Sequence, residues 1–563
     1  MTIPRARRGT AALVTPRAPV FAPTAMVASP HALASAAGLR VLRVGGSAVD
    51  AAIAIAAALG VTSPHMTGIG GDGFWLVHDP RSARTLALNA SGPAARLATP
   101  DYYAARGRGR RIPERGALAT LTVPGAVDGW RAAHERFGRL AWGELLADAV
   151  RWAREGVPVG RSLARALASS AEPIRQHPSA AREFLPGGRV PALGEPLARP
   201  ALAATLDRIA REGPRAFYDG ELAERTCRDV AALGSPLRAA DLAAYRAEWT
   251  EPIATSYRGI TVQEMPPNSQ GFAALEILAL LEGFDVAAWG DASADYYHYQ
   301  AEAARLAYAD RDAWCADPRF VQAPLARLLD EHYAAERRRL IRPAAAIAAA
   351  DLAPGIPRAA PRGVDAGAGC GTRGDTCAFT VVDADGLVVS AIESIYLAFG
   401  SLEVAADTGV LLQNRGALFS LDARASGVLA PGKRPFHTLS PALALERGAP
   451  WAAFGTMGGN GQPQTHSALI TRLVDMRHDV QRAIDAPRWV MGRTLASPRE
   501  LLWLEGRVGH AVARELRRRG HRVRVVEDWS SDMGHAQMIR VHADTGVLEG
   551  GADSRGDGVA VGF

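Results

Sequence analysis

Thr376 is the residue around which chemistry in this chain is most readily organised. It precedes Phe379-Thr380-Val381-Val382, a short β-branched run closed by Asp383-Ala384-Asp385-Gly386, and a second apolar run, Leu387-Val388-Val389-Ser390-Ala391-Ile392, follows at once. The pattern predicts a hairpin, with Thr376 where a loop hands over to a sheet. A Thr at such a place is ordinarily structural. Two surrounding features set a nucleophilic reading beside that one. Upstream, Arg342 to Arg373 is rich in Ala, Pro, Gly and Arg, a composition that suits a mobile, cleavable linker. Downstream, Gly455-Thr456-Met457-Gly458-Gly459-Asn460-Gly461 is a turn able to offer backbone N–H donors to an oxyanion. Cys377, the next residue, is a rival reactive group, although strand alternation turns it to the opposite sheet face. His65, His78, His437 and His466 show no HExxH or comparable pairing, which disfavours a metal hydrolase.

The elements that must position these groups mix helix and strand along the whole chain. Residues 1–22 read as a flexible leader. Ala25 to Val61 reads as helical, with Gly45-Gly46-Ser47-Ala48-Val49-Asp50 opening an Ala-rich second helix. The glycines of Thr67-Gly68-Ile69-Gly70-Gly71-Asp72-Gly73 suit a tight turn before a strand Phe74–Val77. A phosphate cradle is the other reading of such glycines, but the Lys-Ser/Thr pair and the strand–loop–helix order are absent. Leu86-Ala87-Leu88-Asn89 is a further strand, 121–246 is largely helical, and Ile260–Glu264 is a strand running into Pro266-Pro267. After Thr376 the texture shifts to strands and glycine turns, with helices near 465–477 and 508–519. This mixture predicts a layered α/β or α+β fold.

Composition narrows the function class. The 563 residues are 48% hydrophobic and 22% charged, ordinary values for a globular protein. A formal charge of +6, with no basic stripe interleaved with aromatics, argues against nucleic acid as a partner. Cys227, Cys315, Cys370 and Cys377 have no metal-ligand spacing, so free thiols in a reducing compartment are expected. Pro16, Pro19 and Pro23 interrupt any signal-like apolar run after Arg5, Arg7 and Arg8. The longest apolar run, Ala51 to Val61, is too short to span a bilayer. A cytoplasmic protein without membrane partners is therefore expected.

From end to end the chain resembles the γ-glutamyltranspeptidase family. The resemblance rests on Gly45–Ala52, Thr67–Phe74, Val123-Pro124-Gly125, Met265-Pro266-Pro267, Leu306–Arg311, the Thr376 strand, Ser440-Pro441 and Gly458-Gly459. It implies an α+β N-terminal-nucleophile hydrolase with an αββα sandwich. Residues 23–375 would form a large subunit and 376–563 a small one, released by self-cleavage between Asp375 and Thr376 and jointly building one catalytic domain. Thr376 would be the nucleophile, with its freed α-amine as base. Ser394 would stand where a second hydroxyl, often Thr, positions that nucleophile. Gly458 and Gly459 would form the oxyanion hole. No metal or organic cofactor is implied.

The departures point away from glutamate. Members that act on γ-glutamyl groups carry an Arg for the donor's α-carboxylate, and Asn89 stands there. They carry an Asp for its α-amine where this chain has Leu418, and paired serines where it has His437-Thr438. A neutral amide does not replace a bidentate fork. Arg415 is a new cation nearby, read either as a carboxylate anchor or as a structural ion-pair partner; His437 is either a substrate contact or a buried structural His. The reading this supports is an amidohydrolase for a small anionic amide, resembling oxamate amidohydrolase, with Asn89, Arg415, His437 and Thr438 binding substrate. The alternatives are a γ-glutamyltransferase or glutathione hydrolase, a glutaryl-type cephalosporin acylase, and a non-catalytic binding homologue.

Overall fold

A computed structural model describes residues 17–109, 111–357, 374–405, 407–492 and 501–563. Fourteen strands form two seven-stranded sheets. In chain order they are β1 (Val20–Ala22), β2 (Met26–Ser29), β3 (Asp72–Asp79), β4 (Arg84–Ala90), β5 (Glu248–Thr250), β6 (Ile253–Tyr257), β7 (Ile260–Glu264), β8 (Gly374–Val382), β9 (Val388–Leu397), β10 (Ala442–Glu446), β11 (Ala449–Thr456), β12 (Ala536–Val541), β13 (Leu548–Ala552) and β14 (Val559–Gly562). One sheet runs β14-β2-β8-β9-β3-β4-β5 and the other β1-β13-β12-β11-β10-β7-β6. Each sheet therefore draws strands from both sides of residue 376.

The strands at the centre are buried on both faces, which sorts their side chains into two cores. Along β8, Cys377, Phe379 and Val381 join a core under α1 (Ala32–Arg43), α2 (Ala48–Thr62), α3 (Ala126–Phe137) and α4 (Trp142–Glu155). Ala378 and Val382 point the other way, into a core between the sheets with Phe74, Leu76, Leu443 and Ile539. The second sheet is roofed by α5 (Gly271–Leu281), α6 (Ala294–Trp314) and α7 (Gln462–Val474). The layers are thus αββα, as expected of the α+β class. Period-2 alternation puts Thr376 on the inter-sheet side with Ala378.

Helix α2 is apolar all round and is wholly buried, as such a helix must be. Ser47 caps it reciprocally with Asp50, and the Asp383 carboxylate accepts the Ala48 N–H at 2.8 Å. That contact fixes the turn of the β8–β9 hairpin to a helix N-terminus, where negative charge is favoured. Among the described residues no helix is long and apolar enough to cross a membrane.

Three expectations are corrected. The leader ends early: residues 1–16 lie outside the described residues, but Val20, Phe21 and Ala22 pair with Gly550, Glu549 and Leu548. The stretch from Ala25 is not helical at its start, because Met26–Ser29 is a strand between β8 and β14. The linker begins later than Arg342. His298 Nε2 lies 2.7 Å from the Arg342 carbonyl and the Ile347 N–H donates to Glu302 at 2.5 Å, so this part is anchored. Residues 358–373, with Cys370, fall outside the described residues.

Backbone meets backbone closely around the first glycine loop. A Cβ on Gly92 would sit 1.6 Å from the Val123 carbonyl oxygen. Because the obstacle is main chain on the far side of the site, neither partner can yield by rotating a side chain. Gly92→Ala is expected to lower stability by about 2–3 kcal/mol, read as a fall in the thermal midpoint or as loss of soluble protein.

Candidate active site

The β8–β9 hairpin carries a bulge at the point of interest. Asp375 pairs with Tyr396 and Cys377 with Glu393, so Ser394 and Ile395 together oppose Thr376. Bulges of this kind re-aim side chains. Here Ser394 is brought back toward the preceding peptide: its Oγ donates to the Asp375 carbonyl oxygen at 2.9 Å. That oxygen belongs to the Asp375–Thr376 bond. Thr376 is itself buried.

Cys377 is set aside by the same alternation. Its sulfur lies in the helix-side core, 3.9 Å from Met66 Sδ, and burial pushes its thiol well above the ordinary range. A thiol so placed is inert.

The glycine turn follows β11, whose Gly455 faces Ala378 of β8 so closely that an added Cβ would lie 2.9 Å from the Ala378 methyl. Gly458 and Gly459 have φ of 146° and 53°, a left-handed path that favours glycine. Among the described residues neither of their N–H groups has a hydrogen-bond acceptor. The turn is held by residues that precede residue 376 in the chain. Gln270 Nε2 donates to the Gly459 and Thr438 carbonyls, each at 2.9 Å. Arg311 donates to Gln270 Oε1 at 2.9 Å and Asn460 Oδ1 at 3.2 Å, and Tyr308 Oη donates to the Asn460 carbonyl. This explains the Leu306–Arg311 motif: Tyr308 and Arg311, three apart on α6, present one helix face to the turn. No local signal marks Gln270, Tyr308 or Arg311 as site residues. They act on atoms distant in the chain.

Arg415 lies in a short 3-10 turn after β9 and is fully buried. Nη1 donates to Thr438 Oγ1 and Nη2 to Ser394 Oγ, both at 3.1 Å, and the guanidinium carbon stands 4.5 Å from the centre of the Tyr396 ring. Nε has no partner, and no carboxylate reaches ion-pair distance among the described residues. Burial pushes Arg415 down to about 10, against the pull of Tyr396 and Asp72, so the group remains a cation at neutral pH. The structural ion-pair reading of Arg415 thus finds no partner. Thr438 is one of its two hydroxyl acceptors.

His437 is also fully buried, edge-on to Phe74. Its Nδ1 accepts the Leu439 N–H at 3.4 Å, which leaves the proton on Nε2 to be donated to Asp72 at 3.2 Å. Burial and the Arg415 charge push it well below the usual His range, so it is neutral. The expectation of a direct His437 contact is therefore corrected: no ring nitrogen is left for a ligand. Asn89 is similarly tied, its Oδ1 accepting from Ser91 N–H and Oγ at 3.0 and 2.7 Å and its Nδ2 donating to Asn268 at 2.9 Å. Leu418 packs in an apolar cluster with Phe272, Tyr396 and Phe436.

Asp72 and Arg115 are two further residues that the sequence did not mark. Asp72 Oδ1 accepts from the Gly92 and Gly125 N–H groups at 3.0 and 3.2 Å and from Gln413 at 2.9 Å. Burial pushes its carboxyl up to about 7, while those donors and Arg415 pull it down. Arg115 donates to the carbonyls of Ala398 and Gly400, and its charge acts on Asp375 and Tyr396.

Comparison with known proteins resolves the resemblance. The Gamma-glutamyltranspeptidase family pattern matches residues 34–563. The chain belongs to that family. It is a hydrolase of the N-terminal-nucleophile type. It is 43% identical over 538 residues to the Glutathione hydrolase-like YwrD proenzyme of Bacillus subtilis, covering 96% of this chain and 98% of that one. It is 42% identical over 543 residues to the Oxamate amidohydrolase proenzyme of Klebsiella pneumoniae, with the same coverage of 96% and 98%. The crystal structure of cephalosporin acylase from Bacillus halodurans superposes with a TM-score of 0.87 at 35% identity, over 100% of this chain and 99% of that chain.

Beneath the site, Glu393 accepts from Trp130 Nε1 at 2.6 Å, while its other oxygen has no partner among the described residues. Burial pushes it up to about 8 from 4.5. The folded protein then keeps a proton that the unfolded chain releases above about 4.5. Stability from this group is full below that pH and falls as pH rises toward 8. In a Thr376→Ala background, Glu393→Gln keeps the Trp130 acceptor and removes the titration. Its thermal midpoint relative to Glu393 is expected to rise steadily from pH 5 to pH 8.

Proposed function

We propose that the protein is a self-processing amidohydrolase for a small acyl amide bearing a carboxylate. Thr376 Oγ attacks first the Asp375 carbonyl and, after the chain is cut, the substrate amide. The freed Thr376 α-amine takes the proton, an acyl-enzyme forms, and water resolves it. The Gly458 and Gly459 N–H groups receive the oxyanion, each contributing about 3 kcal/mol in the transition state. The segments before and after the Asp375–Thr376 bond then act as large and small subunits of one precursor.

The observation that carries the substrate class is Arg415: a buried guanidinium beside Ser394 with no carboxylate at ion-pair distance among the described residues. Of its five N–H groups two serve hydroxyls, leaving the rest for an anion. A γ-glutamyl donor is supported less well. Its α-amine would meet Leu418 in an apolar cluster and its α-carboxylate the committed amide of Asn89. The oxamate amidohydrolase relative and the cephalosporin acylase neighbour support an amide or acyl substrate outside the γ-glutamyl class.

Intact-mass analysis tests the nucleophile: wild type and Cys377→Ala are expected to split into two chains, the smaller starting at Thr376, while Thr376→Ala stays whole. A wild type that remains one chain would overturn the catalytic reading. For the mature enzyme, kcat/KM for oxamate is expected to exceed that for its neutral ethyl ester by about 100-fold, the size of a buried charge-assisted pair. Equal values would remove Arg415 from substrate recognition.

A further inference from the structure

Ser394 has more donors aimed at it than a structural hydroxyl needs. Its Oγ accepts the Tyr396 N–H at 2.8 Å and Arg415 Nη2–H at 3.1 Å. A hydroxyl has one proton and two lone pairs. With both lone pairs taken, the proton has a single direction left, along the 2.9 Å contact to the Asp375 carbonyl oxygen. That oxygen is the one that becomes negative when Thr376 Oγ adds to the Asp375 carbon. All the groups concerned are buried, where a charge-assisted hydrogen bond acts at low dielectric.

We propose that Arg415 is a positioning residue for self-cleavage, acting through Ser394 to fix the hydroxyl proton on the scissile carbonyl and to make it a stronger donor. The proposal rests on Thr376 as the cleaving nucleophile and adds a role for Arg415 before any substrate is present. Tyr396 is the second half of the device. Its φ of 81° is unusual for a side chain of that size, and it brings the Tyr396 N–H onto Ser394 Oγ while the ring supports the Arg415 guanidinium. Thr438 holds the other Nη, so the guanidinium is clamped between two hydroxyls and an aromatic face.

The chemistry balances without any added reagent. Thr376 Oγ bonds to the Asp375 carbonyl carbon and its proton passes to the departing Thr376 nitrogen as the C–N bond breaks, leaving an ester. Water then adds to that ester, releasing the Asp375 carboxylate and the Thr376 hydroxyl. Ser394 stabilises the oxyanion in the first addition, and Arg415 raises its capacity to do so. In the mature enzyme the Asp375 carbonyl departs, and the same guanidinium is left facing the position into which a substrate carboxylate would enter.

The test follows precursor made by cell-free synthesis, with cleavage timed by intact mass and no substrate added. Arg415→Gln is expected to slow cleavage about 10- to 100-fold, the range for losing one oxyanion donor. Arg415→Lys, which keeps the charge, is expected to recover part of the rate. In a Ser394→Ala background, Arg415→Gln is expected to have no further effect, because its route to the carbonyl is gone. Cleavage of Arg415→Gln within twofold of wild type overturns the proposal. So does an equal slowing in both backgrounds, which marks Arg415 as merely structural. If Arg415→Gln fails to fold, the comparison of Arg415→Lys in the two backgrounds decides in the same way. A wild type that does not cleave before Thr376 instead overturns the nucleophile reading, a different outcome.

Discussion

A buried carboxylate, Asp72, is the constraint on which the site depends. It sits at the first residue of β3 and gathers the Gly92 and Gly125 N–H groups, the Gln413 amide and the His437 ring. These donors come from segments on both sides of residue 376. The Gly92 N–H and the His437 Nε2 proton have no other acceptor among the described residues, and unpaired buried donors are costly; the Gly125 N–H and the Gln413 amide also reach the Gly71 and Val123 carbonyls. The arrangement explains why the loop before β3 is glycine-rich: a Cβ on Gly71 would lie 2.5 Å from the Ser394 carbonyl oxygen, so only glycine lets β9 come close enough for the bulge to form. Asp72 therefore fixes His437, His437 fixes the path into Thr438, and Thr438 receives Arg415.

The catalytic surroundings are a sequence of such supports. Strand β8 is threaded between β2 and β9, with its hairpin turn fixed to the α2 N-terminus through Asp383. Across the sheet gap, Gln270 and Arg311 brace the turn that presents Gly458 and Gly459. One sheet carries Thr376 and Ser394 and the other leads into the Gly458-Gly459 turn, so the proposed reaction centre lies where the two sheets face each other. Rigid elements, rather than mobile loops, set that geometry.

Much of this was legible in the sequence, for identifiable reasons. The β8–β9 hairpin announced itself by β-branched runs around a turn, and Thr376, Gly458 and Gly459 stand in recognisable motifs. Arg415 stood out as a new cation beside the positions where this chain departs from the family pattern. What could not be read was partnership. His437 has the type of a ligand contact, yet its Nε2 proton is spent on Asp72, which lies far off in the chain. Asp72, Gln270 and Tyr396 are unremarkable locally and matter only through folding. Met26–Ser29 was misread as helical because Ala-rich sequence follows it; its strand state is imposed by pairing with β8 and β14, a tertiary override of local preference.

The interleaving of strands has a consequence for the protein's history. In each sheet some neighbouring strands come from opposite sides of residue 376: β2 lies between β14 and β8, β9 pairs with β3, β1 with β13 and β10 with β7. The cut proposed before Thr376 would leave these ladders in place, yet it would change the molecularity of unfolding. Before the cut, the halves are held at a high effective concentration by their covalent join; afterwards they are two molecules, and recovery from the unfolded state depends on their meeting in solution. The architecture is written once, while the chain is whole. A form cut as proposed would persist through the height of its unfolding barrier rather than by reversible equilibrium, retaining a shape that it had lost the simple means to rebuild.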